Sequence, residues 1–179
     1  MKYKNLFHLF SEVLKRAKIP FVLIGGFAVN FYKFSRTTGD VDFMMTEVGF
    51  NQAWPFLEKA GCRLMIRTPL FATLKSDIPP FMLADILFVD EKTIKGVLAK
   101  TSEAQVMGEK LQVPSLEHLI ALKLHALKNN LAHRESRDLR DIMELVKQHQ
   151  IDVKTKSFRH LCQTYGTDEI YKKICRVTP

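Results

Sequence analysis

The stretch FVLIGGFAVNFYKFSRTTGDVDF, residues 21–43, decides how this chain is read. It opens with Phe21 to Ile24, a short apolar run after Pro20 with the composition of a buried strand. The run enters Gly25-Gly26, where two residues without Cβ atoms let other groups come close to the backbone. Residues 27–33 then read as a helix, whose first N–H groups have no partner within the helix and suit a phosphate. Thirteen residues separate Gly26 from Asp40, the first residue of the strand-like run 40–45, DVDFMM. Residues two apart on a strand point to one face, so the carboxylates of Asp40 and Asp42 converge. Carboxylates held that close repel one another unless a cation lies between them. Oxygen ligands beside a phosphate-bearing substrate favour Mg2+.

Either half of this pattern alone is weak, because a glycine pair is most often a turn and an Asp-x-Asp is often a hydrated strand end. A third acid narrows the choice. Asp85 stands alone in the apolar run FMLADILFVD, residues 81–90, and a carboxylate in such a strand needs a partner or a metal. Asp77 and Asp90 are nearby rivals, but both sit beside turn-like sequence and are expected in water. Residues 50–60 predict a helix ending at Gly61, CRLMIRT and LFATLKS a hairpin about Pro69, residues 91–100 a helix, and QVMGEKLQVP a hairpin turning at Gly108.

After Pro114 the pattern becomes helical. Ser115 is placed to cap a helix running to about Asn129, a second helix spans about 135–149, and one or two more follow. Leu116, Leu119, Ile120, Leu124 and Leu127 mark the apolar face of the first, and Lys123 falls on that face. A lysine there either extends its amine to water or meets an anion. On the second helix, Arg134 with Asp138 and Arg137 with Asp141 have the i,i+4 spacing of surface pairs. The chain therefore reads as α/β (α+β): a core with a small mixed sheet over residues 1–113, then a helical C-terminal part over residues 114–179.

Composition bounds the rest. The 179 residues are 46% hydrophobic and 26% charged, which excludes collagen-like, coiled-coil and wholly disordered chains. A net charge of +8 points to a polyanionic partner. The three cysteines form no CxxC pair, so neither a zinc knuckle nor a disulfide framework is expected, and free thiols fit a reducing cytoplasm. Leu6, Phe7, Phe10, Val13, Leu14 and Ala17 recur at helical spacing, giving an amphipathic core helix rather than a signal peptide. The longest apolar run falls well short of the ~20 residues of a membrane span, and the expectation is a cytoplasmic protein without membrane contact. There is no Walker A sequence. The basic tail, with Lys154, Lys156, Arg159, His160, Lys172, Lys173 and Arg176, is read as a solvated face, with contact to an RNA backbone as the functional alternative.

A hydrophobic strand, Gly-Gly, the Arg36-Thr37-Thr38 run and Asp-hydrophobic-Asp-hydrophobic together resemble the signature of the DNA polymerase β-like nucleotidyltransferases. Two later motifs, PSLEHLIALKLHAL from Pro114 and RESRDLRDI from Arg134, resemble the AbiEii-type toxin group of that superfamily. The resemblance spans residues of about 20 to 146. It implies Mg2+-dependent transfer of a nucleoside monophosphate from an NTP to an acceptor hydroxyl. In that scheme Asp40, Asp42 and Asp85 are the catalytic, metal-binding carboxylates, and Gly25, Gly26, Arg36, Lys123 and Asp138 serve the nucleotide. It further implies RNA or tRNA as the acceptor in a toxin–antitoxin setting, with a cognate antitoxin protein as partner. The alternatives are an antibiotic-type small-molecule nucleotidyltransferase and a non-catalytic nucleotide-binding module of the same fold.

Overall fold

The computed structural model describes residues 3–129 and 131–177. The chain forms two compact units, one of residues 1–28 with 36–115 and the other of residues 29–35 with 116–179.

The first unit begins with α1 (Leu6–Arg16), capped by the Asn5 side chain, which accepts from the His8 N–H. Leu6, Phe7, Phe10, Val13 and Leu14 are buried as the spacing predicts, with Phe10 stacked on Phe43 at 4.6 Å between ring centroids, whereas Ala17 lies past the helix end as its exposed C-cap. The apolar run after Pro20 is β1 (Phe21–Ile24), buried throughout. The turn then tightens at once into α2 (Gly25–Phe31). That helix starts two residues earlier than the sequence reading placed it, because both glycines join its first turn. β2 (Asp40–Met45) follows, and then α3 (Glu47–Lys59), whose Thr46 cap accepts from the Gly49 N–H and whose first turn carries Glu47.

The hairpin about Pro69 is β3 (Cys62–Arg67) with β4 (Phe71–Ser76), and β5 (Leu83–Phe88) completes the sheet. The strand order is β1-β2-β5-β4-β3, with β2 and β5 parallel and the other neighbours antiparallel. Period-two alternation sets its two faces. Val41, Phe43 and Met45 on β2, Ala72 and Leu74 on β4, and Ala84, Ile86 and Phe88 on β5 are buried on one face. Asp40, Asp42, Thr73 and Asp85 stand on the other, half-buried. Asp90 caps α4 (Glu91–Leu98), and β6 (Ser102–Val106) and β7 (Glu109–Val113) form the hairpin at Gly108.

The second unit is helical: α5 (Leu116–Asn129), α6 (Leu131–Gln148), α7 (Lys156–Tyr165) and α8 (Asp168–Val177). Leu119, Ile120, Leu124 and Leu127 are buried on α5, as the periodicity predicts, and Ile142, Leu145, Phe158, Cys162 and Ile174 join the same core. Residues 29–35 belong to this unit, which the sequence reading did not foresee, and the His149 imidazole lies 3.0 Å from the Tyr32 carbonyl oxygen. Among the described residues, no helix is long and apolar enough to cross a membrane.

Candidate active site

The register of the sheet explains why three acids from distant stretches of chain meet. Asp42 lies directly opposite Asp85 in the parallel β2–β5 pair, and Asp85 lies opposite Thr73 in the antiparallel β5–β4 pair. Directly opposed residues share a face, so a row runs Asp42, Asp85, Thr73 across three strands, with Asp40 one pleat away. One carboxylate oxygen from each of Asp40, Asp42 and Asp85 lies within 4.8 Å of the other two.

Two hydroxyls orient this trio. Thr73 Oγ1 donates to Asp85 Oδ1 at 2.6 Å. Thr38 Oγ1 lies 3.0 Å from Asp40 Oδ1 and 3.2 Å from the Asp40 carbonyl oxygen. A hydroxyl bound to one oxygen limits rotation of the carboxylate about its terminal torsion and fixes where the other oxygen points.

The glycine pair has a definite structural cause. Gly25 has φ +63°, a left-handed conformation that favours glycine, and a Cβ there would overlap the Asp42 carboxylate. A Cβ on Gly26 would overlap the Thr38 hydroxyl and lie 3.3 Å from the Arg36 guanidinium. The two glycines thus make the space into which Asp42, Thr38 and Arg36 fold. The structure brings Gly25, Gly26, Arg36, Asp40, Asp42 and Asp85 together at one end of the sheet. Thr38 and Thr73 are the residues that sequence reading left without a role. The alternation of Phe71, Thr73 and Lys75 in LFATLKS was the available signal for Thr73, but it needs the strand register before it points anywhere.

The rival acids lie elsewhere. Asp77 pairs with Arg63 on the surface at 2.5 Å. Asp90 accepts from the Thr93 N–H at 2.6 Å, and that bond holds its carboxyl below the usual range.

Within the helical unit, the Lys123 amine is not in water. It lies 2.9 Å from Asp138 Oδ1 and 2.6 Å from Asp141 Oδ2, and all three residues are buried. This corrects the reading of Asp141 as half of a surface pair with Arg137: the residue is 1% exposed and faces α5. The alternative pairing of Asp138 with Arg134 involves a side chain outside the described residues.

A five-stranded mixed sheet carrying three converging carboxylates, entered through a strand–Gly-Gly–helix turn, defines the class of nucleotidyltransferases with the polymerase-β-like fold. A family model described as nucleotidyl transferase AbiEii toxin, Type IV TA system, matches residues 77–177. That is more than half of the chain, and the chain belongs to this family of nucleotidyl transferase enzymes. Asp85, Lys123 and Asp138 lie inside the matched segment, whereas Asp40 and Asp42 precede it and rest on the sheet geometry above.

Solved structures agree on the fold. The antibiotic-resistance factor ANT(2'')-Ia superposes with a TM-score of 0.58 at 15% identity, covering 93% of this chain and 85% of that one. An antigenic nucleotidyltransferase-like protein from Paracoccidioides brasiliensis gives 0.56 at 14% identity, covering 94% and 89%. The lincosamide antibiotic adenylyltransferase LnuA gives 0.51 at 17% identity, covering 75% and 92%. No curated protein sequence matches the chain.

Proposed function

We propose that this chain moves a nucleoside monophosphate from an NTP to an acceptor hydroxyl, releasing pyrophosphate, with Mg2+ held by Asp40, Asp42 and Asp85. The observation that carries the reading is the convergence of those three carboxylates within 4.8 Å beside the Gly25-Gly26 turn. The donor set fits the ion: three hard oxygen ligands, half-buried, with like charges that a divalent cation would relieve. When bound there, Mg2+ would polarise the α-phosphate and lower the pKa of the acceptor hydroxyl.

The chain's own residues have separate tasks in this scheme. Thr38 and Thr73 fix the planes of the Asp40 and Asp85 carboxylates. Gly25 and Gly26 leave the room in which Asp42, Thr38 and Arg36 pack against the turn, and the Arg36 guanidinium beside Gly26 supplies positive charge for the triphosphate. Asp85 receives the proton of the acceptor hydroxyl. Lys123 and Asp138 are assigned to the nucleotide by the family resemblance. Lys123→Ala tests that assignment, with a raised KM for NTP or a lowered kcat as the expected result and wild-type kinetics as the result against it.

For the acceptor, RNA or tRNA in a toxin–antitoxin setting is the reading we favour, with action in the cytoplasm and a cognate antitoxin protein as partner. Its support is the toxin description of the family and the net charge of +8. A second reading, a small-molecule acceptor, is supported by relatives of the same fold. ANT(2'')-Ia has been captured with adenylyl-2''-tobramycin, and LnuA with lincomycin. A non-catalytic module is disfavoured by the presence of all three acids.

The test is incubation with each labelled NTP, Mg2+ and total bacterial RNA, beside Asp42→Ala shown to be folded by circular dichroism. Label in an RNA band with the wild type only is the expected result. Equal labelling by Asp42→Ala would move the reaction away from these carboxylates, and NTP binding without RNA labelling would favour the small-molecule reading.

A further inference from the structure

Each acid of the trio has one oxygen already engaged by the protein. Thr73 Oγ1 donates to Asp85 Oδ1 at 2.6 Å, the length of a charge-assisted bond between a hydroxyl and a carboxylate. Thr38 Oγ1 donates to Asp40 Oδ1 at 3.0 Å. Asp42 Oδ2 lies so close to Gly25 that a Cβ there would overlap it. The groups that hold these oxygens have little freedom of their own. Thr73 lies on β4, which is paired on both sides, to β5 and to β3. Its β-branched side chain is stiff about the first torsion. Thr38 is wedged against Gly26, where a Cβ would overlap its hydroxyl. Neither hydroxyl can swing away without moving the backbone behind it.

We propose that Thr38 and Thr73 are specificity-determining residues: by occupying one oxygen each of Asp40 and Asp85, they make these acids single-oxygen ligands and set the site for Mg2+ against Ca2+. The proposal rests on the metal reading above. The two ions ask different things of a carboxylate. Ca2+ takes about six to eight oxygens at ~2.3–2.6 Å in a flexible shell, often with both oxygens of one carboxylate. Mg2+ needs near-ideal octahedral geometry at ~2.0–2.1 Å and is usually held by one or two carboxylates with substrate phosphates and waters. Two-oxygen binding requires a carboxylate turned so that both oxygens lie at similar distances from the ion. Asp85 can turn that way only by giving up its bond to Thr73, and Asp40 only by giving up its bond to Thr38. The acids therefore offer single oxygens in a fixed arrangement, with further positions open to phosphate and water. That suits the smaller ion and leaves the larger one short of ligands. Hydroxyls kept only to satisfy the carboxylates would favour the two ions alike, so the ratio of affinities separates the roles.

The experiment uses the full chain and the ions alone. Binding of Mn2+ is followed by loss of the free-ion electron paramagnetic resonance signal, and MgCl2 or CaCl2 is titrated in to displace it. Asp42→Ala identifies the signal that belongs to this site. Thr73→Val and Thr38→Val are expected to weaken Mg2+ binding about 10- to 100-fold, the usual cost of removing a group that orients a metal ligand. Their Ca2+ affinity is expected to hold or rise, so the ratio of Mg2+ to Ca2+ affinity falls by about tenfold or more. Thr73→Ser, which keeps the hydroxyl, is expected to keep the wild-type ratio. Circular dichroism and urea unfolding show that each variant is folded. A wild-type ratio in both valine variants would overturn the proposal, even where both affinities drop, and so would a Thr73→Ser ratio as low as that of Thr73→Val. Absence of any Mn2+ binding that Asp42→Ala removes would instead overturn the metal reading beneath it.

Discussion

Gly25→Ala tests fold and site with one methyl group. Its magnitude follows from two separate costs. The backbone at φ +63° is left-handed, and a Cβ in that conformation costs about 1–2 kcal/mol. The new atom also overlaps the Asp42 carboxylate, and crowding of this kind costs a further ~1–3 kcal/mol as neighbours shift. The expected loss of stability is therefore roughly 2–5 kcal/mol. A protein of ordinary stability, about 5–15 kcal/mol, survives that loss at low temperature.

Activity should suffer more than stability. The carboxylate has to retreat by about an ångström, and a misplacement of that size at a reacting centre costs ~100-fold in rate. The assay pairs urea unfolding with NTP-dependent transfer, using Gly96→Ala as the reference. Gly96 lies in α4, where a Cβ meets nothing within 4 Å, so alanine there should raise stability by about 0.5–1 kcal/mol and leave transfer unchanged. Wild-type stability and transfer in Gly25→Ala would refute the argument, because Asp42 would then not occupy the space that the glycine leaves.

Two further predictions concern buried groups. Lys123→Met removes the amine that two buried carboxylates share in the helical core and should cost about 3–5 kcal/mol in denaturant unfolding, whereas breaking the exposed Arg63–Asp77 pair should cost under ~1 kcal/mol. A loss below ~1 kcal/mol in Lys123→Met would mean that the amine is hydrated. Burial pushes the Cys62 thiol up to about 11 and the Cys162 thiol up to about 12, above the ordinary thiol range. The unfolded chain therefore loses these protons first as pH rises, so stability is fully present below about pH 8.5 and falls as the pH approaches 11. Both thiols should resist alkylation at pH 8 in the native state and react on unfolding; fast labelling of the native protein at either position would contradict their burial.

How much of the site was legible depended on how far each signal carries. Asp40 and Asp42 are readable because a strand repeats every two residues, so their spacing alone puts them on one face. Asp85 is readable as a lone acid in an apolar run, though its partner is not. The pairing Asp42↔Asp85 is a register between residues 43 positions apart in the chain, and no local pattern encodes it. Thr73 is silent for the same reason. In TLKS it is one more β-branched residue, and only the β5–β4 register turns its hydroxyl toward Asp85. The start of α2 was misjudged by two residues because a glycine pair normally ends regular structure. Here Gly25 takes a left-handed conformation and the chain continues straight into the helix.

The helical unit shows the opposite limit. Periodicity identified Lys123 as a charge on an apolar face, and that much was correct. Helical spacing also offered surface pairs for Asp138 and Asp141, since each has an arginine four residues before it, while the family resemblance assigned Asp138 to the nucleotide. An i,i+4 rule compares residues on one helix, whereas burial is decided by the neighbouring helix. Asp138 and Asp141 lie three apart, so they too share a face, and that face meets α5. Two acids hold the one lysine amine. An ion pair kept only for stability would be cheaper with one acid, because each buried charge carries its own desolvation cost. The second acid therefore argues that the position of the Lys123 amine, rather than its contribution to stability, is what this arrangement serves. If so, Asp138→Asn and Asp141→Asn, each of which leaves Lys123 one charged partner, should lower transfer further than they lower stability. Equal proportional losses in both would reduce the cluster to packing.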